Sequence, residues 1–348
     1  MTALSPPCVA ALLLTAAVMS AALTWLVRRV ALKRAILDLP GKRRSHTAPT
    51  PRGGGIGFVV ATIMVVLALA LVPDAPRVEL GGLLAGLLLV AGIGAADDVG
   101  AISARLRLII HAVAAALCCT AIVGLPHSMQ SLAVLLAAIF FVTGLVNVWN
   151  FMDGIDGLAA SQAALVAAAA AILASPGEAA APLAWLLVAA CVGFLPFNAP
   201  PARIFLGDVG RGALGYLLAM LGGLLVFETR AAGAGSTALL LLLPASAFLV
   251  DATLTLARRI LRGERWWQPH VQHAYQALAR RRGHTFATLS YGAWSVLGLW
   301  LAWLLSGYDT RFGFIMPAAV AAWQGMGGLW WWYLQDSEQR MTARGPRE

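Results

Sequence analysis

The stretch Asn147–Leu158 reads N-V-W-N-F-M-D-G-I-D-G-L and sits between two long apolar segments. Its carboxylates, Asp153 and Asp156, are three residues apart, which on a helical turn puts both on one face. Gly154 and Gly157 follow them and let backbone approach a ligand closely. Two unpaired carboxylates this near one another repel, and removing each from water costs several kcal/mol. A chain this apolar keeps such a pair only where cations or hydrogen-bond donors satisfy it. More carboxylates, a metal or basic groups must therefore come to the same depth from elsewhere in the chain.

The apolar setting is general. The 348 residues are 60% hydrophobic with a mean hydropathy of +0.78, which excludes an ordinary soluble globular chain. Apolar runs of about 20 residues recur, each long enough to cross a bilayer. Spans are predicted near 8–27, 53–73, 79–96, 107–125, 131–149, 158–174, 182–197, 210–227, 236–257, 287–305 and 313–334. The expected fold is all-α: one integral-membrane domain over 1–348, about eleven transmembrane helices, and sizeable loops only at 28–52 and 258–286. The first run, Cys8 to Val27, leads into Arg28 and Arg29 rather than a small-residue cleavage site, and reads as a retained helix. Cys8, Cys118, Cys119 and Cys191 lie in apolar runs without metal-site spacing and read as buried free thiols.

The net charge of +9 is distributed as a membrane protein distributes it. Alternate loops divide into two sets. One set (28–52, 97–106, 150–157, 198–209, 258–286 and the tail) carries most of the lysine and arginine; the other holds only Arg77, Arg230 and Arg311. The positive-inside rule puts the first set in the cytoplasm, with the N-terminus outside and the C-terminus inside. No basic groove interleaved with aromatics is present, so nucleic acid is not an expected partner. On this topology Asp97, Asp98, Asp153, Asp156, Asp208, His270 and His273 all fall on the cytoplasmic side, although hydropathy alone did not require it.

Each cytoplasmic motif has a chemical reading and a plainer one. In P-T-P-R-G-G-G-I-G, glycines allow tight packing or close approach to an anion, and Arg52 can meet a phosphate; Lys42, Arg43 and Arg44 read as an anchor at lipid headgroups. In G-A-A-D-D-V-G, adjacent Asp97 and Asp98 suit a divalent metal, or one metal contact and one base. Arg105 and Arg107 follow as candidates for a lipid phosphate, and His111 reads as a packing histidine. The segment F-N-A-P-P-A-R-I-F-L-G-D-V-G-R places Asn198, Phe205 and Asp208 in one loop before a glycine-rich helix start; Asp208 can hold a cation or act as a plain N-cap, and Arg211 can add to phosphate binding. Asp251 is either a functional intramembrane carboxylate or a partner of Arg258. His270 and His273 can share a helical face and, with Gln272 and Arg265, suit diphosphate recognition better than zinc; Trp266 and Trp267 read as interfacial. Five cytoplasmic aspartates exceed what one Mg²⁺ takes from protein, so metal binding, proton handling and ligand recognition must divide them. Metal-assisted phosphoryl transfer at the membrane surface is the reaction class that fits.

These motifs together resemble those of the polyprenyl-phosphate N-acetylhexosamine-1-phosphate transferases. The resemblance rests on P-T-P-R-G-G-G at 49–55, D-D at 97–98, N-x-x-D-G-I-D-G-L at 150–158, F-L-G-D at 205–208 and H-V-Q-H at 270–273. It implies transfer of a sugar-1-phosphate from a UDP-activated amino sugar to undecaprenyl phosphate at the bacterial inner membrane, with release of UMP. It also implies Mg²⁺ as cofactor, with Mn²⁺ as the alternative ion, held by Asp208 with Asp97 nearby. Asp97, Asp98, Asp153 and Asp156 would be the catalytic carboxylates. Asn150, Asn198, Phe205, Arg52, Arg105, Arg107, Arg211, His270 and His273 would line the substrate site, Asp153 and Asp156 adjoining the nucleotide. Gln272 departs from the histidine-richer motif of GlcNAc-using relatives, Arg211 stands where relatives carry a small residue after D-x-G, and W-W-Q-P-H-V-Q-H-A-Y-Q looks like the branch that starts O-antigen chains with 6-deoxy sugars such as FucNAc or QuiNAc. Membrane lipids are expected surroundings and a homodimer an assembly state to test. A multi-span transporter is the reading from another class, though it would place charges nearer the bilayer midplane.

Overall fold

In the computed structural model the described residues are 6–41, 48–71, 76–174, 180–231, 237–265, 267–268, 270–307 and 314–343. Lys42, Arg43, Arg44 and Trp266 lie outside them. Eleven α-helices follow in order: α1 Pro6–Lys33, α2 Gly55–Ala70, α3 Arg77–Val99, α4 Ala104–Val123, α5 Met129–Met152, α6 Leu158–Leu173, α7 Ala180–Asn198, α8 Gly207–Ala231, α9 Leu242–Leu261, α10 Ala274–Ser306 and α11 Ile315–Ala343. Each matches one predicted apolar run. Eight (α1, α3, α4, α5, α7, α8, α9 and α10) are long and apolar enough to cross a membrane. The 16-residue α2 and α6 are apolar but shorter, roughly 24 Å at 1.5 Å per residue. Among the described residues, the one departure from an all-α chain is a two-residue antiparallel ladder, β1 Leu37–Asp38 with β2 Thr50–Pro51, which pins both ends of the first large loop.

Helix termini follow local chemistry. Ser103 caps α4 by accepting from Leu106 N at 3.3 Å, and Ser128 with Ser131 forms a capping box at α5. The second large loop is shorter than predicted, because α10 starts at Ala274 rather than near 287. Its first turns bury Tyr275, Ala277, Leu278 and Ala279 while Arg280 to Arg282 lower the hydropathy, so a hydropathy reading passes over them.

In lipid, apolar side chains gain little by leaving the bilayer, so helices associate through close packing of small residues and interhelical hydrogen bonds. Gly55 of α2 lies so close to Gly210 of α8 that a Cβ would fall on the facing backbone. Ser20 of α1 donates to Ala190 O of α7 at 2.7 Å, and Tyr216 of α8 donates to Leu83 O of α3 at 3.2 Å. Large apolar groups such as Phe140, Leu329 and Trp332 stay exposed on the outer surface. Cys118, Cys119 and Cys191 are buried free thiols as expected; Cys8, near the start of α1, is exposed instead, because the outer face of that helix is uncovered.

Candidate active site

The site is assembled at one end of the bundle, where α3 and α5 finish and α8 and α10 begin. Its centre is the start of α8. A helix N-terminus leaves backbone N–H groups without internal partners, and here the acceptor comes from another helix. Asp98, buried in the last turn of α3, accepts from Asp208 N at 3.0 Å and Val209 N at 3.2 Å. Asp208 is therefore not a plain N-cap. Its carboxylate accepts from Arg211 Nε at 2.8 Å and lies 3.4 Å from Arg107 Nη1. The same Arg107 nitrogen donates to Asp97 Oδ2 at 2.7 Å, and Asp97 Oδ1 accepts from Ile102 N at 2.7 Å. Asp97 and Asp208, 111 positions apart by number, thus share one guanidinium nitrogen.

The loop at 50–55 is laced onto the loop before α8. Phe205 N donates to Pro51 O at 2.8 Å, Gly54 N to Phe205 O at 2.9 Å and Gly55 N to Leu206 O at 2.8 Å. These glycines serve close backbone packing. Arg52 donates to Asp98 O, with its Nε 4.0 Å from Asp98 Oδ1. Of the other predicted phosphate ligands, Arg107 joins this cluster, while Arg105 is exposed on the first turn of α4.

The D-G-I-D-G stretch is not a helical turn. Helix α5 stops at Met152, Asp153 leaves helical geometry at φ −94° and ψ 65°, and Gly157 takes φ +73° before α6 begins. That positive φ requires glycine. Asp153 and Asp156 are therefore brought together by a tight turn rather than by helical spacing. Asn198, buried at the end of α7, accepts from Gly157 N at 3.2 Å and donates to Ile204 O at 3.0 Å, which fixes the turn against the α7–α8 loop. Asp156 Oδ2 accepts from Ala202 N at 3.0 Å. Asn150 is half-buried on the last turn of α5. Burial pushes the Asp153 carboxyl up to about 7; the Arg211 cation opposes this, and the charges of Asp208, Asp98 and Asp156 add to it. The turn and the start of α8 therefore lie in one electrostatic field.

His270 and His273 share no helical face either. His273 is the N-cap of α10 and His270 precedes it in the loop, yet their rings stack with centroids 4.8 Å apart. Burial, with His273 and Arg259 nearby, holds His270 down at about 4, so it is a neutral imidazole at pH 7. Asp251 does not pair with Arg258. It accepts from Ala274 N at 2.9 Å, Tyr275 N at 3.0 Å and Tyr291 OH at 2.8 Å, and so caps α10 from within the bundle. Arg258 donates to Gln335 Oε1 at 2.8 Å instead. Trp267 is exposed.

Comparison with known proteins settles the family. The model for glycosyl transferase family 4 matches residues 80–225. The decaprenyl-phosphate N-acetylglucosaminephosphotransferase of Mycobacterium tuberculosis is 30% identical over 308 residues, covering 76% of this chain and 74% of the relative. A probable undecaprenyl-phosphate N-acetylglucosaminyl 1-phosphate transferase of Bacillus subtilis is 26% identical over 272 residues, 74% of this chain and 73% of the relative. The phospho-N-acetylmuramoyl-pentapeptide-transferase of Thermosynechococcus vestitus is 31% identical over 227 residues, covering 59% and 60%. The chain belongs to the polyprenyl-phosphate N-acetylhexosamine-1-phosphate transferase family. As a member it is a phosphotransferase and a multi-pass membrane protein, which removes the transporter reading.

Two residues of this transferase were not anticipated from its sequence. His284 Nδ1 lies 3.2 Å from Asp156 Oδ1, and Tyr275 OH donates to Phe151 O at 3.2 Å while lying against Gly154. A histidine just after Gly283 and a tyrosine following H-V-Q-H-A were the available signals, and neither has meaning until α10 is laid against the 153–157 turn.

Proposed function

We propose that this protein transfers an N-acetylhexosamine-1-phosphate from a UDP-sugar to undecaprenyl phosphate on the cytoplasmic side of the bacterial inner membrane, releasing UMP. The observation that carries the reading is the convergence of Asp97 and Asp208 on Arg107, beside the Asp153–Asp156 turn. Phosphoryl transfer depends mainly on positioning and on stabilising charge. A cluster of carboxylates interleaved with Arg52, Arg107 and Arg211 provides both, with the stacked His270 and His273 at the diphosphate and the turn at the nucleotide.

The donor set suits Mg²⁺. Asp97 and Asp208 are oxygen ligands, no thiolate stands among their partners, and among the described residues no three acidic, histidine or cysteine side chains form a complete metal cage. Magnesium is usually held by one or two carboxylates and completed by substrate phosphates. Asp97 and Asp208 would hold it, and the bound ion would neutralise the diphosphate. Asp98 holds the start of α8, so its part is to fix Asp208. Arg107 and Arg211 pair with the carboxylates and would balance charge on the leaving group.

The relatives are named for N-acetylglucosamine, which makes UDP-GlcNAc the first donor to try. The stretch W-W-Q-P-H-V-Q-H-A-Y-Q, with Gln272, favours a 6-deoxy-N-acetylhexosamine and a role in initiating O-antigen or a related glycan. The test is release of UMP by purified protein with undecaprenyl phosphate and Mg²⁺ across a panel of UDP-N-acetylhexosamines. Release with one donor and loss on chelation support the reading; no release with any donor overturns it.

A further inference from the structure

Helix α10 is broken at Gly283, whose φ of 84° and ψ of 165° are not helical. The break divides it into a first stretch that begins at the His273 cap and a second that begins at His284. Both stretches grip the D-G-I-D turn. Before the break, Tyr275 OH donates to Phe151 O at 3.2 Å and fills the space beside Gly154. Beyond it, Thr288 Oγ1 donates to Asp156 O at 2.8 Å, and His284 Nδ1 lies 3.2 Å from Asp156 Oδ1 and 3.5 Å from Asp156 N. The two contacts are alternatives for one ring nitrogen: bare, Nδ1 accepts from Asp156 N–H, and protonated it donates to the Asp156 carboxylate, so either form ties His284 to Asp156. Asp156 Oδ2 is held from the other side by Ala202 N at 3.0 Å. Both oxygens of Asp156 are thus oriented by groups from distant parts of the chain, and neither side chain of the His284–Asp156 pair is more than a fifth exposed.

We propose that His284 is a positioning residue for the nucleotide end of the site, acting through Asp156. This rests on the reading of the 153–157 turn as the nucleotide pocket. A carboxylate that must meet a uracil or ribose donor in one orientation gains from a neighbour that removes its rotational freedom. His284 does so from the same helix that His273 caps, so α10 meets both ends of the site, on either side of its break at Gly283.

The experiment measures UMP affinity by titration calorimetry, which does not depend on knowing the sugar. His284→Ala should weaken UMP roughly tenfold or more, as loss of an outer orienting partner typically does. His284→Asn, whose amide nitrogen can stand near the Nδ1 position, should recover affinity to within about twofold of the parent. Asp156→Asn should weaken UMP too, and adding His284→Ala to it should cost little more, since the two residues act as one unit. Unchanged UMP affinity in His284→Ala, equal loss in both His284 variants, or full additivity with Asp156→Asn would each overturn the proposal. If Asp156→Asn itself leaves UMP affinity unchanged, the nucleotide reading falls and takes the proposal with it. If Asp156→Asn weakens UMP while His284→Ala does not, only the role of His284 is lost.

Discussion

The carboxylate of Asp98, at the end of α3, accepts the backbone N–H of Asp208, at the start of α8, at 3.0 Å. A side chain of one motif therefore caps the helix that presents the key carboxylate of another. The cap also neutralises the exposed N–H groups of α8, which would otherwise be free to meet an anion. Asp98→Ala should cost about 1–2 kcal/mol of stability, the usual range for a lost cap. Activity should fall roughly 10- to 100-fold as Asp208 loses its fixed backbone. Thermal melts and UMP release on the same detergent-solubilised sample check this; a variant as active as the parent would detach Asp98 from the site.

Arg107 stands between Asp97 and Asp208 and competes with any cation for them. Asp208→Asn should abolish transfer, beyond the roughly 10- to 100-fold typical of outer partners, while leaving membrane insertion intact. Arg107→Ala should also lose activity, but Mg²⁺ should stabilise it more than the parent, because two facing carboxylates then lack their shared cation. Ligand-dependent stabilisation grows with [L]/Kd, so melting with and without MgCl₂ reads the difference directly. An Mg²⁺ shift that persists undiminished in Asp208→Asn would remove Asp208 from the metal assignment.

Asp153 gives a pH signature. Its carboxyl is raised from the ordinary 3.8 to about 7 chiefly by burial. A raised carboxyl holds its proton more tightly in the folded state, so the fold pays a penalty that is absent below the unfolded value, grows between about 4 and 7 and is constant above. Asp153→Asn removes that penalty. The variant should melt together with the parent near pH 4 and increasingly above it as pH rises to 7, with no further gain at pH 8. A gap between the two that does not change with pH would show that burial does not set the ionisation of Asp153.

Each of the eleven helices was legible from a continuous apolar run, a signal that survives without tertiary information, whereas the arginine-bearing first turns of α10 were not. The site was legible as a set of motifs but not as a geometry. Asp153 and Asp156 read as a helical pair because three-residue spacing fits a helix; the positive φ of Gly157 that replaces it belongs to a packed turn. Pairing with Arg258 was one of the two readings of Asp251 because the two lie about two turns apart on one helix, whereas its partners, at the start of α10 and at Tyr291, are brought to it only by packing. His284 carried only its place after a glycine, a signal without meaning until the break at Gly283 is known.

The remaining expectation concerns sidedness. The motifs of the site lie at one end of the bundle, and by the positive-inside rule the arginine-rich loops of the sequence lead us to expect that end in the cytoplasm. Arg262 is exposed in the loop between α9 and α10, and Cys8 is the one exposed native cysteine among the described residues. In a Cys8→Ser background, Arg262→Cys should react with a membrane-impermeant maleimide in inside-out vesicles and stay unlabelled in intact spheroplasts. With Cys8 retained and Arg262 unchanged, the pattern should reverse, because the start of α1 lies at the opposite end. Labelling of Arg262→Cys from outside would place the carboxylates, arginines and histidines on the face where no UDP-sugar is made, and the direction of transfer proposed here would fail.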